Sequence, residues 1–316
     1  MKNSHLVNYV LLIVSMIFWG ISWPLAKILV PLATSFQIGF FRFIIASFVY
    51  IVFYFIKFRN NLKVYTWKSI YQFFVLGLLG IFGYGILFLT AMRFTTSAQG
   101  AVLAGVQPTI ITLLSRLIHK ERLEPKWRYW GLLFSFAGVL MIIGIAPFIE
   151  FNSQHVIGNI IVLGAFFCFA GYSVLGKTVM QTHTSYETTT WATVLGAFMF
   201  GGAAIIENQW DQLQWNSWIF WISIIIMALF VTVISFLCYF VAIKNLGTTK
   251  SGIFINLVPV FGTLFSVILL GESISWTLWL GLLLISLGIA FINFPIDFNL
   301  KAKLNEKKRK WKVNFG

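Results

Sequence analysis

Charge is what this sequence has least of. Asp, Glu, Lys and Arg make up 10% of its 316 residues, where soluble globular chains carry roughly 25%. The chain is also 59% hydrophobic, with mean hydropathy +0.87, which leaves too little polar surface for soluble domains. Acid is scarcer than base. All nine Asp and Glu fall at the ends of apolar runs, between them or in the tail. A catalytic carboxylate pair at membrane depth is thereby excluded, and proton coupling through a buried acid is disfavoured, with Glu121 and Glu272 the acids that could contribute. The four histidines, His5, His119, His155 and His183, are scattered without ligand spacing, so neither a metal nor a cofactor is expected. Cys168 and Cys238 both lie in apolar runs. They read as small packing residues and define no disulfide framework.

What is present is apolar chain in long pieces. Runs fall near 9–30, 35–56, 70–92, 97–118 and 130–149, then near 156–178, 188–206, 218–243, 249–270 and 275–294. A span needs about 20 apolar residues, so the expectation is an all-α polytopic membrane protein of ten transmembrane helices. The first run is too long for a signal-peptide core and lacks a small-residue cleavage site, so it is read as a retained span. Net charge is +14, but the excess is confined to particular connections. Of 23 Lys and Arg, 20 fall in even-numbered connections, the N-terminus and the tail; Lys27 and Arg93 fall in odd ones. The positive-inside rule then places both termini in the cytoplasm of an inner or plasma membrane. That distribution argues for contact with lipid and against nucleic acid.

The sequence also repeats itself. A shift of 151 residues brings Phe18, Gly20 and Ser22 onto Phe169, Gly171 and Ser173, and Pro108, Thr112, Ser115 and Glu121 onto Pro259, Thr263, Ser266 and Glu272. Further on the register is 150, pairing Gly131 with Gly281 and Gly138 with Gly288. Five spans per half is an odd number, so the second half would enter the membrane inverted. The expected units are a first five-span repeat at 9–149, a second, inverted one at 156–294, and a basic cytoplasmic tail at 295–316. Inverted repeats are the sequence mark of secondary transporters, with substrate held near the midplane beside broken helices. Pro108 and Pro259 are the breakers, and are read as hinges.

At this point the chain resembles a family. "FWGISWPLAK" at 18–27, "FFRFIIA" at 40–46 and the paired segments ending "KE" and "GE" resemble the drug/metabolite transporter superfamily, in its EamA-type ten-span members. The resemblance covers the chain from about Tyr9 to Phe294. It implies export or exchange of amino acids and other small metabolites through a central cavity, by alternating access. It does not fix the substrate, and import of another small polar nutrient or nucleotide-sugar-type solute stays open. A membrane-embedded enzyme would need a catalytic cluster that the sequence lacks, so no enzyme is expected. A channel would need a ring of like charges or a filter loop.

The candidate substrate-binding residues are polar or amphipathic groups inside apolar runs. They are Trp19, Ser22, Arg42, Tyr84, Gln107, Tyr172, Ser173, Tyr239 and Asn256. Aromatics with a polar handle suit a partly wet, mostly apolar cavity; in the same residues, packing or an interfacial belt is the competing reading. Arg42 is the sharpest. It lies about seven residues into the second run, roughly 10 Å deep at 1.5 Å per residue, with no acid inside any span to pair with. Its open alternatives are carbonyls, water, lipid phosphate or an anionic substrate. Glu121 and Glu272, by contrast, read as residues that tie span ends together.

Overall fold

The computed structural model describes residues 2–59, 64–121, 129–143 and 153–271, and of the last stretch 280, 283–284, 286–288 and 291. Among these residues every regular element is helical, and seven helices are long and apolar enough to cross a membrane. They run Leu6–Leu29, Ser35–Lys57, Trp67–Phe94, Ile157–Val179, Ser185–Glu207, Trp218–Leu246 and Thr248–Leu270. The fourth expected run appears as two pieces, and of the fifth Tyr129–Ile143 is described. The tenth lies largely outside the described residues, as does Glu272.

In chain order the α-segments are α1 (Lys2–Leu29), α2 (Ser35–Phe58), α3 (Trp67–Leu76), α4 (Tyr84–Phe94), α5 (Ser97–Leu103), α6 (Gln107–His119) and α7 (Tyr129–Ile143). The second half follows with α8 (Ser153–Val179), α9 (Ser185–Glu207), α10 (Trp218–Ile226), α11 (Ser235–Leu246), α12 (Thr248–Ile253) and α13 (Val258–Leu270). α2 and α9 begin in the same way. Thr34 and Thr184 each accept from the backbone three residues on, and Gln37 and Glu187 return the bond to the cap backbone. Two orphan N–H groups are satisfied at each start. These caps are 150 residues apart, although Ser22 and Ser173 are 151 apart. One residue is lost within "SWPLAK" against "SVLGK", which makes Lys177 the counterpart of Lys27.

The register is back at 151 by the next caps, Thr66 and Ser217, and both spans that follow are distorted in the same place. Gly77–Gly83 between α3 and α4 is π-helical over seven residues, and Met227–Ile234 between α10 and α11 over eight. A π-helix widens the turn to admit extra chain without breaking the span.

The halves pack by exchange. α1 lies against α11 and α13, while α8 lies against the matching α4 and α6; α2 lies against its own counterpart α9. Side-chain contacts are exchanged too. Ser97 meets Ser266 Oγ to Oγ at 3.1 Å, and Ser115 meets Thr248, which are the same two positions with the halves swapped. Glycine permits the close approach of α1 and α13: a Cβ on Gly20 would sit 2.8 Å from the Gly262 nitrogen. Aromatic side chains fill the interior, with Trp23, Tyr50, Tyr172, Tyr239, Phe43 and Phe200 all buried. The outer surface is apolar as well, with Phe48, Phe167, Phe198 and Ile206 exposed, as lipid-facing helices require.

The prolines do not sit in the middle of continuous α-helix. Each follows a short 3-10 turn, Ala104–Val106 before Pro108 and Phe254–Leu257 before Pro259, and each stands in the first turn of the next α-segment. The tighter turn answers the accounting problem a proline creates. The Gln107 N–H donates to the Ala104 carbonyl, and the Val258 N–H to that of Ile255.

Candidate functional site: a central cavity between the halves

The site begins with the second π segment. Thr232 donates its hydroxyl to the Met227 carbonyl, five residues back, at 2.9 Å. Its oxygen then accepts from Arg42 Nε, also at 2.9 Å. Neighbouring carbonyls take side chains from the first half: Trp19 Nε1 donates to Val231 at 3.2 Å, Tyr50 to Val233 at 2.8 Å, and Ser15 to Ser235 at 3.0 Å. The widened turn of the second half is thus laced to α1 and α2 of the first.

A cavity lies beside this lacing. Trp19, Ser22, Trp23, Arg42, Tyr84, Phe88, Ala104 and Gln107 line it from the first half, and Phe169, Val231, Phe236, Ile255 and Val258 from the second. It spans about 410 Å³ of space between atoms, of which water centres can reach only about 20 Å³. That suffices for water and not for a metabolite, so the cavity is narrow. The walls are aromatic. Trp19 packs edge-on against Phe169 with centroids 5.2 Å apart, and against Tyr239 at 4.9 Å; Trp23 meets Phe88 at 4.8 Å, and Tyr84 stacks on Phe88 at 5.7 Å.

Arg42 is 3% exposed. Among the described residues its one hydrogen bond is the Nε bond to Thr232, and no carboxylate meets it. The Gln107 side chain is also buried and lines the cavity. Ser22 is spent locally, donating to the Trp19 carbonyl at 2.6 Å. What converges on the space is therefore one guanidinium, one amide and a set of aromatic rings.

Five of the nine sequence candidates, Trp19, Ser22, Arg42, Tyr84 and Gln107, line the cavity; the other four lie behind or beside it. Tyr172 stacks on Phe240 at 4.6 Å, over Gly80, where any Cβ would enter its ring. Tyr239 donates to Ser173 Oγ at 3.4 Å while its ring backs Trp19. Asn256 is buried with its Oδ1 lacking a partner among the described residues, and it is not on the lining. Sequence reasoning passed over Trp23, Phe88, Phe169, Phe236 and Thr232. A lone Thr inside "MALFVTVI" was a signal available for Thr232, but its partner lies 190 residues away.

One end of this bundle is knotted by charge. Glu121, just past the left-handed cap at Lys120, pairs with Lys177 and accepts from Ser115, Thr248 Oγ1 at 3.0 Å and the Thr249 N–H at 3.1 Å. Burial by itself would raise this carboxyl, but the Lys177 ammonium and the Thr249 and Ser115 donors outweigh it and hold the pKa at about 2.

The profile of the EamA-like transporter family matches this chain twice, at residues 6–144 and 156–294. The chain belongs to that family. An uncharacterized transporter of Bacillus subtilis, YyaM, is 29% identical over 288 residues, covering 90% of this chain and 93% of its own. A second from the same organism, YetK, is 24% identical over 89% of this chain and 85% of its own. An uncharacterized transporter of Archaeoglobus fulgidus is 24% identical over 84% of this chain and 90% of its own. A chain of known crystal structure superposes with a TM-score of 0.74 at 19% identity, covering 93% of this chain and 97% of that one. The protein is a multi-pass membrane transporter of the EamA type.

Proposed function

We propose that this protein is a secondary transporter, an exporter or exchanger, of small amphipathic metabolites such as amino acids and their relatives. Two five-helix halves, 9–149 and 156–294, are inverted relative to each other, and both termini and the tail at 295–316 face the cytoplasm. Substrate binds in the central cavity, with Trp19, Ser22, Arg42, Tyr84 and Gln107 in contact and Tyr172, Ser173, Tyr239 and Asn256 supporting. The observation that carries this reading is a narrow cavity walled by both halves and laced across by Arg42–Thr232 and Trp19–Val231. The exchanged Ser97–Ser266 and Ser115–Thr248 contacts support inversion.

Alternating access needs the halves to part and reclose around a fixed site. The elements suited to yield are the two 3-10 turns ahead of Pro108 and Pro259, since Ala104, Gln107, Ile255 and Val258 from these junctions border the cavity. No carboxylate of the described residues lines it, which favours exchange or facilitated diffusion over coupling through a buried acid. Uptake and counterflow in liposomes with a panel of amino acids and related metabolites tests the reading. We expect saturable flux, slowed but not abolished when Pro108 and Pro259 are both replaced by Ala. Absence of flux for the whole panel in either direction would remove it. Orientation is checked separately: single cysteines at Asn152 and Gln209 should label from outside the cell, and labelling only after permeabilisation would reverse it.

A further inference from the structure

Resting on that transport reading, we infer that the cavity selects amphipathic carboxylates that carry no ammonium group: oxo, hydroxy or simple aryl- and alkyl-acids in preference to zwitterionic amino acids. The argument starts from the balance of charge. Arg42 is buried, its one hydrogen bond among the described residues goes to a neutral hydroxyl, and its only other charge-bearing contact there is the Phe43 ring at 4.7 Å. A buried guanidinium without a counter-charge is costly, and a carboxylate can offer it a two-point acceptor. The apolar body of such a solute would meet Trp19, Trp23, Phe88, Phe169 and Phe236, which fits an organic anion better than an inorganic one.

An amino acid would bring a second charge to the same carbon, and the described lining holds no opposite charge to receive it. No acid among the described residues borders the cavity. The carboxylates of Glu121 and Glu187 are already committed at helix ends, Glu121 to Lys177 and Glu187 to its own cap and to Tyr65. With its carboxylate on Arg42, a zwitterion would hold its ammonium close to a like charge. Aromatic faces could accept a cation, but these are turned to one another: Trp19 is packed by Phe169, Phe236 and Tyr239, and Trp23 by Phe88. Gln107 alone offers a carbonyl oxygen, which does not offset the repulsion from Arg42.

The experiment uses one apolar body with four head groups: phenyllactate, phenylalanine, phenylalaninamide and phenethylamine. Flux in liposomes and ligand-induced melting shifts in detergent are measured for the wild-type chain, Arg42→Lys and Arg42→Gln. We expect phenyllactate to be bound and moved at least about tenfold better than phenylalanine, and the two cationic solutes not at all. Arg42→Lys should weaken phenyllactate while keeping the order, and Arg42→Gln should abolish its melting shift while the apoprotein stays monodisperse. Equal or better handling of phenylalanine by the wild type overturns the inference, and that arm needs no variant to fold. Stabilisation by chloride alone, with no effect of any organic acid, also overturns it. Melting shifts without flux would keep the carboxylate site and remove the transport reading instead, so the two fail separately.

Discussion

Lys27 and Lys177 are the same residue in two copies of one repeat, and the structure uses them differently. Lys177 pairs with Glu121, whose other donors come from α6 and α12. Lys27 donates to the carbonyls of Met92 and Thr95, at 3.0 and 2.9 Å, where α4 ends. One ammonium answers a carboxylate; the other answers the negative end of a helix. The serines around them kept their exchanged contacts, Ser97 with Ser266 and Ser115 with Thr248. Duplication therefore preserved the close-packed scaffold, which tolerates little change in volume. Polar wiring at the helix ends was freer, because several donor and acceptor arrangements satisfy the same groups.

The largest test of this contrast is Glu121→Gln. It removes the charge from a knot whose partner side chain is 28% exposed, so we expect a loss of about 2–3 kcal/mol, below the 3–5 kcal/mol of fully buried pairs. Melting of purified protein in detergent, followed by size-exclusion chromatography, reads it. The pH dependence has a definite sign. A carboxyl depressed in the fold from 4.5 to about 2 contributes its stability above the unfolded pKa and loses it as pH falls through 2. The gap between wild type and Glu121→Gln should hold constant from pH 5 to 8 and close between about 4.5 and 2. A gap that closed near neutrality would show that the pair is not what stabilises this end.

Gly247→Ala comes next. Gly247 holds φ at +92°, with ψ 160°, a conformation that L side chains rarely adopt, and its Cβ would meet Glu121 Oε1 at 3.2 Å. We expect a loss of about 1–3 kcal/mol. The matching position in the first half at a shift of 151 is Thr96, which holds no positive φ, so Thr96→Ala should cost less. Equal melting losses would erase the distinction between the two ends.

A smaller and more discriminating effect separates Gly20 from Gly171, paired at 151. A Cβ on Gly20 meets the backbone of α13, whereas one on Gly171 meets only Leu79 Cδ1 at 3.2 Å, the far end of a flexible side chain. Gly20→Ala should cost about 1–2 kcal/mol through overpacking. Gly171→Ala should be neutral or gain up to about 0.5 kcal/mol from helix propensity. Like melting shifts in the two would mean that α1 and α8 are equally close to their neighbours. The smallest effect belongs to Lys27→Gln. An amide can still donate to one carbonyl, so about 0.5–1 kcal/mol is expected, well below Glu121→Gln measured in the same way.

The apolar runs and the duplication could both be read in the sequence, because hydropathy and repetition are local or pairwise properties of the chain. The expectation that Glu121 ties span ends together also had a local basis in its place just beyond an apolar run. The π segments could not be read. The glycines of Gly77–Gly83 permit local unwinding around Tyr84, but nothing in Met227–Ile234 distinguishes a widened turn from α-helix. The prolines announced a break but not its remedy, the 3-10 turns that return acceptors to use.

The sequence by itself determined that the chain spans a membrane, that it is built from two related halves, and that a charge sits inside it without an acid to meet it. These follow from what lipid excludes and from residue identity alone. Only the tertiary structure decided which polar groups meet. It brought Thr232 to Arg42 across 190 residues, set Gln107 on the cavity and left Asn256 beside it, and packed Tyr172 and Tyr239 into a wall behind Trp19. A helix periodicity names a face but not the helix opposite, and side-chain chemistry becomes a site only when two faces are joined.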